Sequence, residues 1–256
     1  MDTNKTNKVK AYCINLERAA DRRRNAEREH QRLGIPFEFI KAVDGNSLTE
    51  QDIVKSGYDE FATKKLRNVY QTRGLSRMEI ACSLSHLKAY QRIKEEKTPI
   101  ALISEDDVVF NFNKDYLYEI LAELPDNWGI CFLFHRGRFR RISRHICKFD
   151  SIPGSAVCYL LTLKGAEKLL ELSQPLRLGP DILIGRATFN GSLEGYGTFP
   201  VKVKHDDNCY SFLLGAPYKK NKLKELYHFL ANRFAWVRRL KYFIKRDENA
   251  FFSDLY

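Results

Sequence analysis

Ile100-Ala101-Leu102-Ile103-Ser104-Glu105-Asp106-Asp107-Val108-Val109-Phe110 is the stretch from which the rest of the chain is most readily placed. Its first four residues form an aliphatic, partly β-branched run of the kind that makes a buried strand. The run ends in three acids, Glu105, Asp106 and Asp107, and a second apolar run follows at once. Adjacent carboxylates repel one another, so a core strand gains nothing by ending in them. A divalent cation removes the repulsion. Hard oxygen donors suit Mg²⁺ or Mn²⁺, ions that usually also touch substrate phosphates. The alternative is a solvated strand end with an acid near a helix N-terminus. The three acids alone do not choose between the two.

Upstream, Val9 to Leu16 is apolar enough for a first strand. Glu17 to Leu33 follows with helix formers whose opposite charges fall at i,i+3 and i,i+4 spacing, and Gly34 is a usual helix terminator. Phe37 to Val43 reads as a second strand closed by Asp44-Gly45. Strand, helix and strand within so few residues make a βαβ unit, hence parallel strands. Residues 47–73 are polar and mixed, with short helical pieces at most. Met78 to Lys94 is a helix, with Ile80, Leu84 and Leu87 at three- and four-residue steps. Downstream, the reading gives a helix over Tyr116 to Leu124 and a strand over Gly129 to Phe134. A basic loop over His135 to His145 and a strand over Ala156 to Leu163 come next. Gly165 to Leu172 is a helix, Pro180-Asp181 opens another, and Gly195 to Lys204 carries a turn and a strand. The alternation predicts an α/β fold: a Rossmann-type mixed, mostly parallel sheet with helices on both faces. In such sheets ligands bind beyond the C-terminal strand ends, where the three acids sit.

The 256 residues carry 43 Lys/Arg against 32 Asp/Glu, a net charge of +11. The excess is localised. Residues 218–246 hold ten Lys/Arg and one acid, Glu225, so +9 lies there. The sequence therefore divides into an α/β domain over 1–217 and a basic tail over 218–256. In the tail Leu223, Leu226, Tyr227, Leu230, Phe234, Val237 and Ile244 recur mostly at helical steps, with Trp236 and Tyr242 among the basic residues. This is the pattern of an amphipathic helix lying on an anionic membrane, or of a helix packed on a domain or a partner. No run of 18 apolar residues exists, and Met1 to Lys10 lacks the apolar core of a signal peptide. The expected location is therefore cytoplasmic, peripheral on the inner face of the membrane. Cys13, Cys82, Cys131, Cys147, Cys158 and Cys209 are scattered without a C-x-x-C pair, so neither a disulfide framework nor a zinc site is expected.

Several stretches together resemble one family. They are Ile14-Asn15-Leu16-Glu17-Arg18 with Asp21-Arg22-Arg23; Leu75 to Leu87 with Glu79-Ile80-Ala81-Cys82 and Leu84-Ser85-His86-Leu87; and Ile103 to Val108. Ala156 to Leu170 with Gly165-Ala166, then Pro180-Asp181 and Phe199-Pro200, follow in the same order. The pattern resembles glycosyltransferase family 25, which includes bacterial lipopolysaccharide and lipooligosaccharide galactosyltransferases and collagen galactosyltransferase domains. The resemblance covers roughly residues 9 to 212. Met78 departs from it, since a glycine usually precedes the central glutamate, and the basic tail lies outside it.

The resemblance implies a GT-A-like, inverting, metal-dependent transferase that most often takes UDP-galactose. It implies that Asp107 is the main contact for Mn²⁺ or Mg²⁺, with Asp106 and Glu105 on the metal or the ribose. His205 becomes a second metal ligand or a solvated loop histidine. Asp181 is the expected base for the acceptor hydroxyl, or else an acid that favours a helix N-terminus. Asn15, Arg18 and Arg22 lie just past the first strand, where uridine and phosphate would sit, while most of the arginines between 18 and 32 read as a solvated helix face. Ser85 and His86 are expected at donor or acceptor, with a satisfied core histidine as the alternative. By loop position and charge, the stretch His135 to Arg141 suits a phosphorylated lipid-linked glycan, with a merely solvated loop as the alternative. The expected partners are thus a nucleotide-sugar donor, a lipid-linked oligosaccharide acceptor and an anionic membrane, without nucleic acid. Two other classes compete. A nucleic-acid-binding module fits the basic charge but lacks any recognised signature. A metal-dependent phosphohydrolase also uses clustered acids.

Overall fold

A computed structural model of the chain describes residues 9–67 and 74–205, together with 210–211 and 216–217. The first unit, residues 1–206, opens with β1 (Val9–Asn15), α1 (Ala20–Leu33) and β2 (Phe37–Lys41). β1 and β2 are parallel, with Ala11 opposite Phe37 and Asn15 opposite Lys41. The helix begins three residues later than its composition suggests. Glu17 and Arg18 instead turn the chain and pair with Lys41 and Asp44 beyond the end of β2. Gly34, at φ 71°, closes α1 in the left-handed region that glycine tolerates.

The polar excursion holds two short helices, α2 (Glu50–Lys55) and α3 (Glu60–Arg67). α4 (Arg77–Glu96) starts on a capping box in which Ser76 and Glu79 satisfy each other's backbone N–H groups. Then come β3 (Ile100–Glu105), β4 (Val108–Phe110), α5 (Lys114–Glu123), β5 (Ile130–Phe132), β6 (Phe139–Arg141), β7 (Ile146–Phe149) and β8 (Cys158–Thr162). The unit closes with α6 (Leu163–Leu172), α7 (Pro180–Phe189), β9 (Gly195–Thr198) and β10 (Val203–His205).

Eight strands form one sheet in the order β2-β1-β3-β8-β5-β9-β7-β6. Following the pairings, six strands run one way and only β8 and β7 are reversed. Helices cover both faces. Leu33 of α1 and Leu117 and Ile120 of α5 pack on Ala11, Leu102 and Leu160. Ala89 and Ile93 of α4, Leu169 of α6 and Ile184 of α7 pack on Tyr12, Ile103 and Leu161. The basic stretch expected as a loop contains strand β6, which pairs with β7 at the outer edge of the sheet. Charged side chains on an edge strand discourage further pairing. β7, only four residues long, is too short to show a periodicity in the sequence. Among residues 207–256, Tyr210–Ser211 (β11) pairs antiparallel with Ala216–Pro217 (β12). The expected amphipathic tail helix lies outside the described residues.

Candidate active site

The end of β3 distributes its acids by strand alternation. Ala101 and Ile103 face the α4 side, and Glu105 continues that face toward His86. Leu102 and Ser104 face the α1 side; Ser104 meets His30 of α1 at 3.1 Å. Asp106 follows on that side and reaches Asn15 at the end of the neighbouring parallel strand β1. Asp107 stands where β4 begins, beside the strand that carries His205.

Asp106 and Asp107 share one cation from this chain. Arg22, in the first turn of α1, pairs with Asp106 and lies 2.9 Å from Asp107. Asn15 donates to Asp106 at 2.7 Å. Burial pushes the Asp106 carboxyl up to about 6, against the pull of Arg22 and Asn15. At Asp107 burial also pushes upward, but His205 and Arg22 outweigh it and hold the pKa below the usual carboxylate range. β10 pairs antiparallel with β4, with His205 opposite Val108. This ribbon brings His205 Nδ1 to 3.6 Å from Asp107 Oδ1, an ionic contact rather than a hydrogen bond. Burial lowers the His205 pKa, but the Asp107 charge reverses that and leaves it raised. Asp107 Oδ1 is buried and has no hydrogen-bond partner among the described residues. A buried carboxylate oxygen without a donor, facing an imidazole nitrogen across 3.6 Å, fits a divalent ion shared by oxygen and nitrogen.

On the other side of β3, Glu105 Oε1 lies 3.8 Å from His86 Nε2. The other nitrogen, His86 Nδ1, is 2.9 Å from the Tyr159 hydroxyl, which in turn meets Tyr90 at 2.8 Å. Cys82, one turn before His86, completes a group of three potential ligands with them. Asp181 is the second residue of α7, after Pro180, whose missing N–H is no loss at that position. It is solvent-accessible at the surface of the unit. Desolvation raises its pKa and the Glu105 charge adds to the rise, while the helix N–H groups and His86 oppose it. Ser85 is committed locally: it accepts from Val43 N–H at 2.8 Å and donates to the Ala81 carbonyl at 2.7 Å.

Asn15 and Arg22, expected at uridine and phosphate, thus lie on Asp106 and Asp107. Arg18 lies on Asp44, at 2.5 and 3.3 Å. Asn25, Arg28, Glu29 and Arg32 lie on α1, whose arginines read in the sequence as a solvated helix face. With Asp106 to Val109 they line a cleft of about 330 Å³. Their i, i+3, i+4, i+7 spacing was the available signal, since it puts all four on one stripe of α1. Of the arginines at 135–141, Arg136 stacks on Phe134, whose ring meets His205 at 4.9 Å between centroids. Arg140 and Arg141 lie on β6 at the far edge of the sheet.

A model of glycosyltransferase family 25, described as an LPS biosynthesis protein, matches residues 8–184. The chain belongs to glycosyltransferase family 25. Procollagen galactosyltransferase 1-B of Xenopus laevis is 29% identical over 180 residues, which are 64% of this chain and 28% of the relative. A human relative, inactive glycosyltransferase 25 family member 3, is 30% identical over 178 residues, 65% of this chain and 29% of its own length. The chain thus spans under a third of these relatives. Mouse xyloside xylosyltransferase 1 superimposes with a TM-score of 0.39 and 11% identity over 72% of this chain and 82% of its own. Family 25 relatives include a protein named inactive, so catalysis has to be argued from the side chains.

Two of the motif positions that mark family 25 have packing roles here. Met78, where the family usually has glycine, lies against Gly45: a Cβ at Gly45 would fall 2.5 Å from its sulfur and 3.0 Å from its Cα. Gly165 lets α6 approach β5, since a Cβ there would stand 2.6 Å from the Gly129 carbonyl oxygen.

Proposed function

We propose that this chain is an inverting glycosyltransferase that moves galactose from UDP-galactose to a hydroxyl of a glycan acceptor. The observation that carries the reading is the buried, donor-less Asp107 Oδ1 facing His205 at the C-terminal end of the sheet. Asp107 and His205 would hold Mn²⁺ or Mg²⁺. That ion supplies positive charge for the diphosphate leaving group. Asn15 and Arg22 keep Asp106 and Asp107 in place, so their contribution to donor binding is one of positioning. Arg28, in the adjoining cleft, offers a guanidinium to a phosphate.

Asp181 is the base. Its raised pKa brings it nearer the working pH, where a general base combines availability with proton affinity. In the transfer step the acceptor O–H proton passes to the Asp181 carboxylate. The acceptor oxygen bonds to the anomeric carbon from the face opposite the diphosphate. The bond from that carbon to the diphosphate oxygen breaks, and its electron pair leaves with UDP. One base and one displacement invert the centre.

A lipid-linked oligosaccharide is the proposed acceptor, at an anionic membrane surface. The +9 charge of residues 218–246 and the printed description of the family as an LPS biosynthesis protein support it. The relatives' name supports a second acceptor class, a collagenous polypeptide. The test is release of UDP from UDP-galactose, with and without Mn²⁺, offered a lipooligosaccharide panel and a collagen peptide. Metal-dependent release with a glycan acceptor is expected. Release that ignores chelation sinks the metal assignment, and release only with the peptide sinks the lipid-linked acceptor.

A further inference from the structure

We propose that Cys82, His86 and Glu105 form a second cation site, one that takes a thiolate-binding divalent ion of the Zn²⁺ class. It is separate in its ligands from the Asp107–His205 pair. The sequence, without a C-x-x-C pair, gave no reason to expect such a site. It is assembled by two periodicities. Cys82 and His86 are four residues apart on α4 and share one face of the helix. Glu105 follows Ala101 and Ile103 on the face of β3 against which that helix packs.

The three donor atoms lie within 4.8 Å of one another, and His86 Nε2 is 3.8 Å from Glu105 Oε1. Tetrahedral zinc bonded to S, N and O needs separations of about 3.3–3.6 Å between its donors. Small side-chain rotations of Cys82 and Glu105, both partly accessible, cover the difference. His86 cannot move as freely. It is 1% exposed and stacks on Tyr159 with ring planes 14° apart.

A second observation points independently to a ligand. His86 Nε2 is buried and has no hydrogen-bond partner among the described residues. Leaving such an atom unpaired forfeits the hydrogen bond it makes to water in the unfolded chain. The Tyr159 hydroxyl fixes the other nitrogen, the arrangement by which metal-bound histidines are held to one tautomer. With the proton assigned to Nδ1 and donated to Tyr159, Nε2 presents its lone pair to the space between Cys82 and Glu105.

The donor set decides the class of ion. Thiolate and imidazole favour zinc-like ions, whereas Mg²⁺ and Mn²⁺ prefer oxygen. One thiolate and one carboxylate also cancel a 2+ charge, as a largely enclosed site requires. Binding exchanges the Cys82 S–H proton for the ion, and the proton goes to solvent. A water fills the fourth position.

The test uses the full, reduced, metal-stripped chain titrated with Co²⁺, whose thiolate charge-transfer absorption in the near ultraviolet reports Co–S bonding. One equivalent should produce that band, and Zn²⁺ should remove it where excess Mg²⁺ does not. Cys82→Ser should abolish the band, Asp107→Asn should keep it, and Glu105→Gln should weaken Co²⁺ affinity tenfold or more. Circular dichroism checks that each variant is folded. If Cys82→Ser fails to fold, the Glu105→Gln affinity and the Mg²⁺ competition decide. No band in the natural sequence, a band that survives in Cys82→Ser, or unchanged affinity in Glu105→Gln overturns the site.

Discussion

Replacing Arg22 with methionine should destabilise the fold by an amount that depends on pH. Arg22 is the cation that the structure places between Asp106 and Asp107, and all three side chains are largely buried, at 13%, 6% and 16% exposure. Methionine keeps most of the volume and removes the charge. Removing one partner of a buried ion pair typically costs about 3–5 kcal/mol, because the remaining charge is left uncompensated. For a domain of this size that lowers the melting temperature by roughly 6–20 °C. The pH dependence follows from Asp106. Its folded pKa, about 6, already exceeds the unfolded carboxylate value because of burial, with Arg22 pulling it down. A raised carboxylate pKa means that the folded state binds the proton more tightly. The contribution of Asp106 to stability is therefore greater at low pH and is lost as pH rises from the unfolded toward the folded pKa. Without Arg22 the folded pKa moves higher still, and the window of loss extends upward. Between pH 5.5 and 8 the variant should therefore lose more stability than the natural sequence does, with a slope of at most about 1.4 kcal/mol per pH unit per proton. Urea unfolding of both proteins at the two pH values measures this. An equal deficit at pH 5.5 and at pH 8 would refute the charge argument and leave only lost packing.

Asp107→Asn should leave the circular dichroism spectrum intact and cost a thousandfold or more in metal-dependent turnover, on the order of 4 kcal/mol of transition-state stabilisation; near-normal turnover removes Asp107 from the metal. Asp181→Asn should bind UDP-galactose with unchanged affinity by calorimetry and lose transfer by about 10²–10⁴-fold; lost donor binding would place Asp181 in the donor site instead. His30 is buried on α1, and burial lowers its pKa despite the Ala26 carbonyl and Glu29. The unfolded chain therefore takes up the proton first, and stability should fall as pH drops below about 6.5. His30→Gln should flatten that slope in urea titrations, and an unaltered slope would clear His30 of the effect. Deleting residues 218–256 should abolish salt-sensitive binding to anionic liposomes while activity on a short soluble acceptor survives; undiminished liposome binding rules out the tail as the anchor.

The sequence by itself determined the local elements of this protein. The β1-α1-β2 unit, the long helix α4 and the strand ending in Glu105 to Asp107 follow from apolar periodicity, capping residues and Gly34, which act over one or two turns. Asp181 was legible as a helix-start acid because Pro180 precedes it. The contacts that make the site were not legible. Arg22 lies 84 residues before Asp106 and meets it only because β1 and β3 are neighbours in the sheet. His205 lies 98 residues after Asp107 and meets it through the β4–β10 ribbon. Cys82 and His86 meet Glu105 because α4 packs across β3 with that one face down. Each meeting depends on strand order and register between distant segments. Side-chain periodicity records which face of an element is buried, but not which other element covers it, so only the assembled sheet could decide those contacts.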